Sequence, residues 1–289
     1  MAGNELEQTI INLQAADGIP LVAWRWRDPL RAQKAIVVLV HGYAEHVGRY
    51  EHVVAALCGA GYTVVGMDDR GHGRSGGRRV AIRRFDSFVD DLDLLIDTNV
   101  RENGPVFLLG HSMGGLIATR CAQRRTDLAG LVVSGAAYKV ETELSGLQRR
   151  ISALLARALP DLPLVPSGKP GILSRDPEVD RRFDADPLTH KGRVRVGMAF
   201  GMFIAGEDTR ARASSLTLPM LVMHGTDDKL TDPAGSVAVY SAASSADKTL
   251  KLLPGLRHEV FNEPEGPEVI ADVVAWLDAR VCGTMKAAS

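Results

Sequence analysis

Ser112 stands in GHSMGG (110–115), a G-x-S-x-G pentapeptide running from Gly110 to Gly114. A serine hydroxyl is a weak nucleophile at neutral pH, so it needs a base within reach and a third group to orient that base. The flanking glycines leave room for a tight, strained backbone that lifts the Oγ clear of its surroundings. Where such a serine sits on a strand-to-helix turn, the acid and then the histidine follow it along the chain. Of the eight histidines, only His258, in PGLRHEVFNEP, lies beyond the run MLVM (220–223) and the acids behind it. Those acids are Asp227 and Asp228 in HGTDDKL. Neighbouring side chains point different ways, so one is expected to face His258 and the other to cap a turn. Together the three groups spell acyl transfer by nucleophile, general base and orienting acid.

A second motif competes for attention. VVGMDDRGHGRSGG (64–77) holds Gly71, Gly73 and Gly76 in the order G-x-G-x-x-G behind a strand-like run, with Asp91 about 20 residues on. A dinucleotide site needs a helix to open at the third glycine, because the pyrophosphate rests on that helix's N-terminus. Here Gly77, Arg78 and Arg79 follow, and the next helical pattern begins only near Phe85. The glycines therefore read as a tight loop after a strand.

The elements that must position these residues alternate in type. Strand-like runs cover 21–26, 35–40, 63–67, 106–109, 131–134, 220–223 and 249–253, several of them continuously apolar, as strands covered on both faces are. Helical patterns cover about 49–60, 113–125, 233–243 and 265–280. The clearest is FDSFVDDLDLLIDTNV, where Phe85, Phe88, Val89, Leu92, Leu95 and Ile96 share one face. Alternation of this kind predicts a mostly parallel α/β sheet, and the first strands, with no helix between them, predict an antiparallel start. From 137 to 215 the rhythm breaks: no strand is expected, only helices and the proline-rich LPDLPLVPSGKPG. Such an insertion reads as a helical cap over the sheet's C-terminal edge, where ligands bind in open α/β folds. The expected division is a core of 1–136 and 216–289 with a cap of 137–215.

Bulk properties narrow the function. The chain has 289 residues, is 45% hydrophobic and carries a net charge of −1, with no long run of one sign, so nucleic acid is not expected as a partner. Cys58, Cys121 and Cys282 are scattered and odd in number, which suits a reducing compartment and neither a disulfide framework nor a zinc site. No signal peptide or membrane-length apolar run is visible, so a cytoplasmic protein is expected. No metal or organic cofactor is called for.

At this point the motifs resemble those of the monoacylglycerol lipase family within the α/β-hydrolase superfamily, the bacterial branch especially. The matching stretches are HGYAEHVGRY (41–50), DDRGHGRSGG (68–77), GHSMGG (110–115), SRDPEVDRRFDADPL (174–188), HGTDDKL (224–230) and RHEVFNEP (257–264), so the likeness spans about residues 9 to 280. It implies Ser112 as nucleophile, His258 as base and Asp228, rather than Asp227, as acid. It implies an oxyanion hole from the backbone N–H groups of Met113 and Tyr43. It implies that Glu45, Arg49 and His111 form a polar pocket end near glycerol, although Glu45 and Arg49 also read as an ion pair holding the oxyanion loop. His46 and His72 are expected to structure loops. Two departures stand out: Ala44 replaces a usual glycine, and Phe183 replaces a usual tyrosine, removing one hydroxyl from the alcohol pocket.

The function implied is hydrolysis of lipid carboxylic esters, most of all monoacylglycerol. A broader carboxylesterase or lysophospholipase, an acyltransferase on the same triad, and a non-catalytic ligand-binding scaffold are the alternatives. The cap helix LQRRISALLARAL (147–159) gathers Leu147, Ile151, Leu154, Leu155, Ala158 and Leu159 on one side. That side is expected either to pack over the site or to touch a membrane surface transiently, as basic amphipathic helices do. Acyl-chain preference and oligomeric state are not legible.

Overall fold

A computed structural model describes residues 5–100, 104–139, 145–166 and 171–287. The chain opens on an antiparallel pair, β1 (Glu7–Gln14) and β2 (Pro20–Arg27), followed by β3 (Ala35–Val40), α1 (Glu51–Gly59), β4 (Tyr62–Asp68) and α2 (Asp86–Asn99). Next come β5 (Val106–His111), α3 (Met113–Ala122) and β6 (Gly130–Ser134). An inserted stretch carries α4 (Gly146–Ala158), β7 (Pro163–Val165), α5 (Pro177–Ala185), β8 (Val194–Arg195) and α6 (Val196–Ala211). The chain then returns to the sheet with β9 (Met220–Gly225), α7 (Pro233–Ala242), β10 (Lys248–Leu253) and α8 (Gly266–Ala287).

The eight sheet strands lie in the order β1-β2-β4-β3-β5-β6-β9-β10. From β4 through β10 every pairing is parallel, while β1–β2 and β2–β4 are antiparallel. This is an α/β-hydrolase arrangement. Period-2 alternation explains the apolar runs of the inner strands. In β3, Ile36, Val38 and Val40 enter one core, with α2, α3 and α7, while Val37 and Leu39 enter a second, with α1 and α8. The whole expected face of α2, from Phe85 to Ile96, is buried.

Two expectations fail. β1 was not anticipated, because EQTIINLQ is an edge strand with mostly exposed residues and no continuous apolar signal. The stretch 137–215, expected to lack strands, contains the short antiparallel pair β7–β8. These are two and three residues long, so they carry too little periodicity to register.

Candidate functional site

The glycine loop at 71–76 settles locally. Gly71 and Gly73 have φ of 73° and 47°, and a Cβ on Gly73 would lie 1.9 Å from Asp68 Oδ2. Asp91 is buried against Arg70, whose Nε and Nη2 donate to it at 2.6 and 2.7 Å. No phosphate cradle remains, and the loop reading holds.

Ser112 sits between β5 and α3 with φ 54° and ψ −118°, a conformation that residues with a Cβ avoid. The surrounding backbone locks it: its N–H donates to Ser134 O at 3.0 Å, and its carbonyl accepts from Leu116 and Ala137 at 3.1 and 3.0 Å. The glycines permit the close approach. A Cβ on Gly110 would lie 2.4 Å from Gly114 O, and one on Gly114 would lie 2.1 Å from Val40 O. Ser112 Oγ has no hydrogen-bond partner among the described residues and is half-buried on the floor of a cavity of about 550 Å³.

His258, past β10, lines the same cavity. Its Nδ1 lies 2.7 Å from Oδ2 of Asp228, which follows β9. Asp227 is exposed and does not face it. Asp228 is held by further donors: the N–H groups of Leu230 and Thr231 at 2.8 and 3.0 Å, and the Thr231 hydroxyl at 2.8 Å. Burial opposes its charge, yet His258, His224 and these donors hold its carboxyl far below the usual carboxylate range. A carboxylate only accepts, so His258 carries its proton on Nδ1 and offers Nε2 as a base. Burial disfavours the imidazolium, but Asp228 reverses that and raises the His258 pKa above the ordinary histidine value.

The loop after β3, where the resemblance places an oxyanion donor, runs against the serine: a Cβ on Gly42 would lie 3.3 Å from Ser112 Cβ. Tyr43 lines the cavity. Met113 opens α3, where the first N–H groups of a helix have no partner inside it. Ala44 has φ 66°, and its carbonyl accepts from His190 N–H in the inserted stretch at 2.8 Å. A glycine suits that backbone best, as the family resemblance implies.

Glu45 and Arg49 are paired. Glu45 Oε1 accepts from Gly42 N–H and Tyr50 OH, both at 2.6 Å, and Oε2 accepts from Arg49. Arg49 also makes a two-pronged bond to Glu259, both arms 2.9 Å. The Phe183 ring lies 5.0 Å from the Arg49 guanidinium carbon. His111 bonds Ser134 Oγ at 2.9 Å, and burial together with neighbouring His258 pushes its pKa down to about 3. Its ring centroid is 4.7 Å from that of His258, so a neutral His111 spares the His258 imidazole a like charge. His46 bonds Asp186 at 2.7 Å and His72 bonds Arg70 O at 3.0 Å, both as loop supports. No group of metal-ligating side chains occurs among the described residues.

Sequence reasoning missed Tyr50, Thr231, His224 and Glu259. Glu259 adjoins the base, but its partner lies 210 residues away, so no local signal could have named it.

The inserted stretch contributes Val165, Ile172, Leu173, Phe200, Met202 and Phe203 to the cavity wall. Of the two expectations for helix α4, the structure does not show the first, its apolar side packed over the site. None of its residues is buried, and Leu147, Ile151 and Leu154 are 69%, 49% and 68% exposed.

Comparison with known proteins gives one consistent picture. Residues 31–265 match the family described as serine aminopeptidase, S33. The chain is 39% identical over 263 residues to a monoacylglycerol lipase of Mycolicibacterium smegmatis, covering 90% of this chain and 93% of the relative. It superposes on a Paleococcus ferrophilus monoacylglycerol lipase with TM-score 0.80 and 30% identity, over 96% of this chain and 99% of the other. A soluble variant of the Saccharomyces cerevisiae monoglyceride lipase, solved with a substrate analog, gives TM-score 0.83 and 25% identity, over 97% and 96% of the two chains.

Proposed function

The chain belongs to the serine aminopeptidase S33 family and is a serine ester hydrolase, and on that premise we propose that it cleaves monoacylglycerol to glycerol and free fatty acid through an acyl-enzyme on Ser112. The observation carrying the reading is the Asp228–His258 bond of 2.7 Å beside a strained serine, beneath a largely apolar cavity. His258 Nε2 takes the Ser112 proton as Oγ attacks the ester carbonyl, and this hydrogen bond tightens with substrate in place. The Tyr43 and Met113 N–H groups receive the developing oxyanion, each typically contributing about 2.7–4 kcal/mol in the transition state. Imidazolium then protonates the glyceryl oxygen, which leaves. Water, activated by the same histidine, releases the fatty acid and restores Ser112.

The stretch 137–215 acts as a cap that walls the acyl chain from water. A cavity of about 550 Å³ is of a size that buries a lipid-sized ligand. Among the described residues no helix is long and apolar enough to cross a membrane. The exposed leucines of α4, beside Arg150 and Arg157, favour a transient contact with a lipid surface. Phe183 favours a second reading, a broader carboxylesterase, because an aromatic ring without a hydroxyl gives the alcohol no hydrogen bond.

Hydrolysis rates over monoacylglycerols of increasing chain length, with di- and triacylglycerols and p-nitrophenyl esters beside them, test the proposal. Monoacylglycerols should lead. Equal rates on all esters would replace it with the broader esterase. Fluorophosphonate labelling lost in Ser112→Ala is the companion expectation, and an unlabelled wild type would remove the serine mechanism. Adding a competing alcohol separates transfer from hydrolysis by its products.

A further inference from the structure

Glu259 follows the proposed base directly, and its carboxylate is turned away from solvent, 6% exposed at the side chain. Both its oxygens are engaged: Arg49 Nη1 and Nη2 donate to them at 2.9 Å, and Asn262 Nδ2 donates at 2.6 Å. Its N–H donates to Leu173 O at 2.8 Å, so the loop carrying His258 is also tied to the inserted stretch. Arg49 passes the connection on to Glu45, which grips the Gly42 N–H at 2.6 Å, next to the oxyanion donor Tyr43. Tyr50 OH closes the remaining side of Glu45.

We propose that Glu259, Arg49 and Glu45 form a buried strap that sets the oxyanion loop at a fixed distance from His258, with Glu259 as its positioning residue. This inference rests on the serine-hydrolase reading above. It assigns Glu45 and Arg49 to holding the site, because their charges are already spent on each other, on Glu259 and on the backbone. A two-pronged arginine–carboxylate pair suits the task, since its flat fork fixes direction as well as distance. Removing one partner from such a buried set leaves a charge uncompensated, so the strap acts as a unit.

The strap also has an electrostatic consequence. The groups facing His258 are Asp228 and, through it, His224; His111; and, from the two loops, Glu45, Arg49 and Glu259. Two carboxylates against one guanidinium leave the strap with one net negative charge beside the imidazole, favouring its protonated form.

The test compares Glu259→Gln and Arg49→Lys with wild type on a monoacylglycerol and on a p-nitrophenyl ester, which has no glycerol. The labelling rate by a fluorophosphonate is read alongside. Both variants should lose kcat on the two esters alike, on the order of 10- to 100-fold, as small misplacements of catalytic groups do. Labelling should slow in parallel, and in Glu259→Gln the acid limb of kcat/KM should move to lower pH. Glu259→Asp should recover part of the loss. A rise in KM confined to the monoacylglycerol would overturn the strap and return these residues to glycerol binding. Unchanged kcat and an unmoved limb would overturn it as well. If Glu259→Gln does not fold, judged by its melting curve, Arg49→Lys carries the same comparison. A wild type that resists labelling would instead sink the underlying serine mechanism, so the two failures are distinguishable.

Discussion

Ser112 keeps a left-handed φ of 54°, a posture that costs about 1–3 kcal/mol and survives only where the surroundings impose it. Three backbone hydrogen bonds impose it here. Replacing Ser112 by alanine leaves those bonds in place, so the melting temperature should barely move while kcat falls on the order of 10⁴ to 10⁶. A large loss of stability alongside would mean that the hydroxyl serves the fold. Asp228→Asn should lower kcat by about 10⁴, because an amide cannot hold the required tautomer. It should also shift the pH profile in a defined direction. On the proposed mechanism His258 acts as base only when neutral, so kcat/KM should rise with pH through its titration. Asp228 places that titration above the ordinary histidine range, and the asparagine variant should bring it back down. An acid limb that moves up, or not at all, would contradict the pairing.

Helix α4 shows what periodicity does and does not convey. Its length and its Ser145 cap, with Gln148 returning the bond, follow from local sequence. Its apolar spacing says that one side avoids water, but not what covers that side. In the protein the cover is incomplete: Leu147 and Leu154 stand in solvent while Ser152 lines the cavity. Leu154→Glu should therefore leave the p-nitrophenyl esterase rate near wild type and reduce co-flotation with lipid vesicles. Equal flotation would remove the lipid role of α4. The short pair β7–β8 and the edge strand β1 escaped notice for a related reason, since two or three residues, or a mostly exposed face, leave no pattern for burial to imprint.

Across the whole molecule, buried groups pull stability in opposite directions as the solution turns acid. Asp69, raised by burial to about 7, and His41 and His258, which burial would lower but neighbouring carboxylates raise, take up protons on folding and gain, while two other histidines lose. His72 and His111 are fully enclosed, and burial lowers both pKa values to about 3, below the ordinary 6.5. Between those limits the unfolded chain binds protons that the folded one refuses, so what these two histidines contribute to stability falls as pH drops below 6.5. At pH 5 each histidine contributes a loss of about 2 kcal/mol relative to neutral pH. Urea unfolding at pH 7 and pH 5 should show the wild type faring worse than His72→Gln on acidification by about 2 kcal/mol, the share of that one ring. Equal pH dependence in the two proteins would mean that the His72 ring charges freely in the folded state.

The sequence by itself determined the α/β alternation, the antiparallel start, the elbow at Ser112 and the chain order of serine, acid and histidine. These depend on local backbone preference and on burial periodicity, which neighbouring residues encode. For the acid, spacing left two aspartates and only the resemblance favoured Asp228, and for Glu45 and Arg49 two readings stood side by side. The tertiary structure put Asp228 against His258, paired Glu45 with Arg49, and brought Glu259 to them from 210 residues away. Hydrogen bonds and ion pairs act over a few ångströms, and such distances between remote loops exist only once the sheet has brought the ends of its strands to one edge.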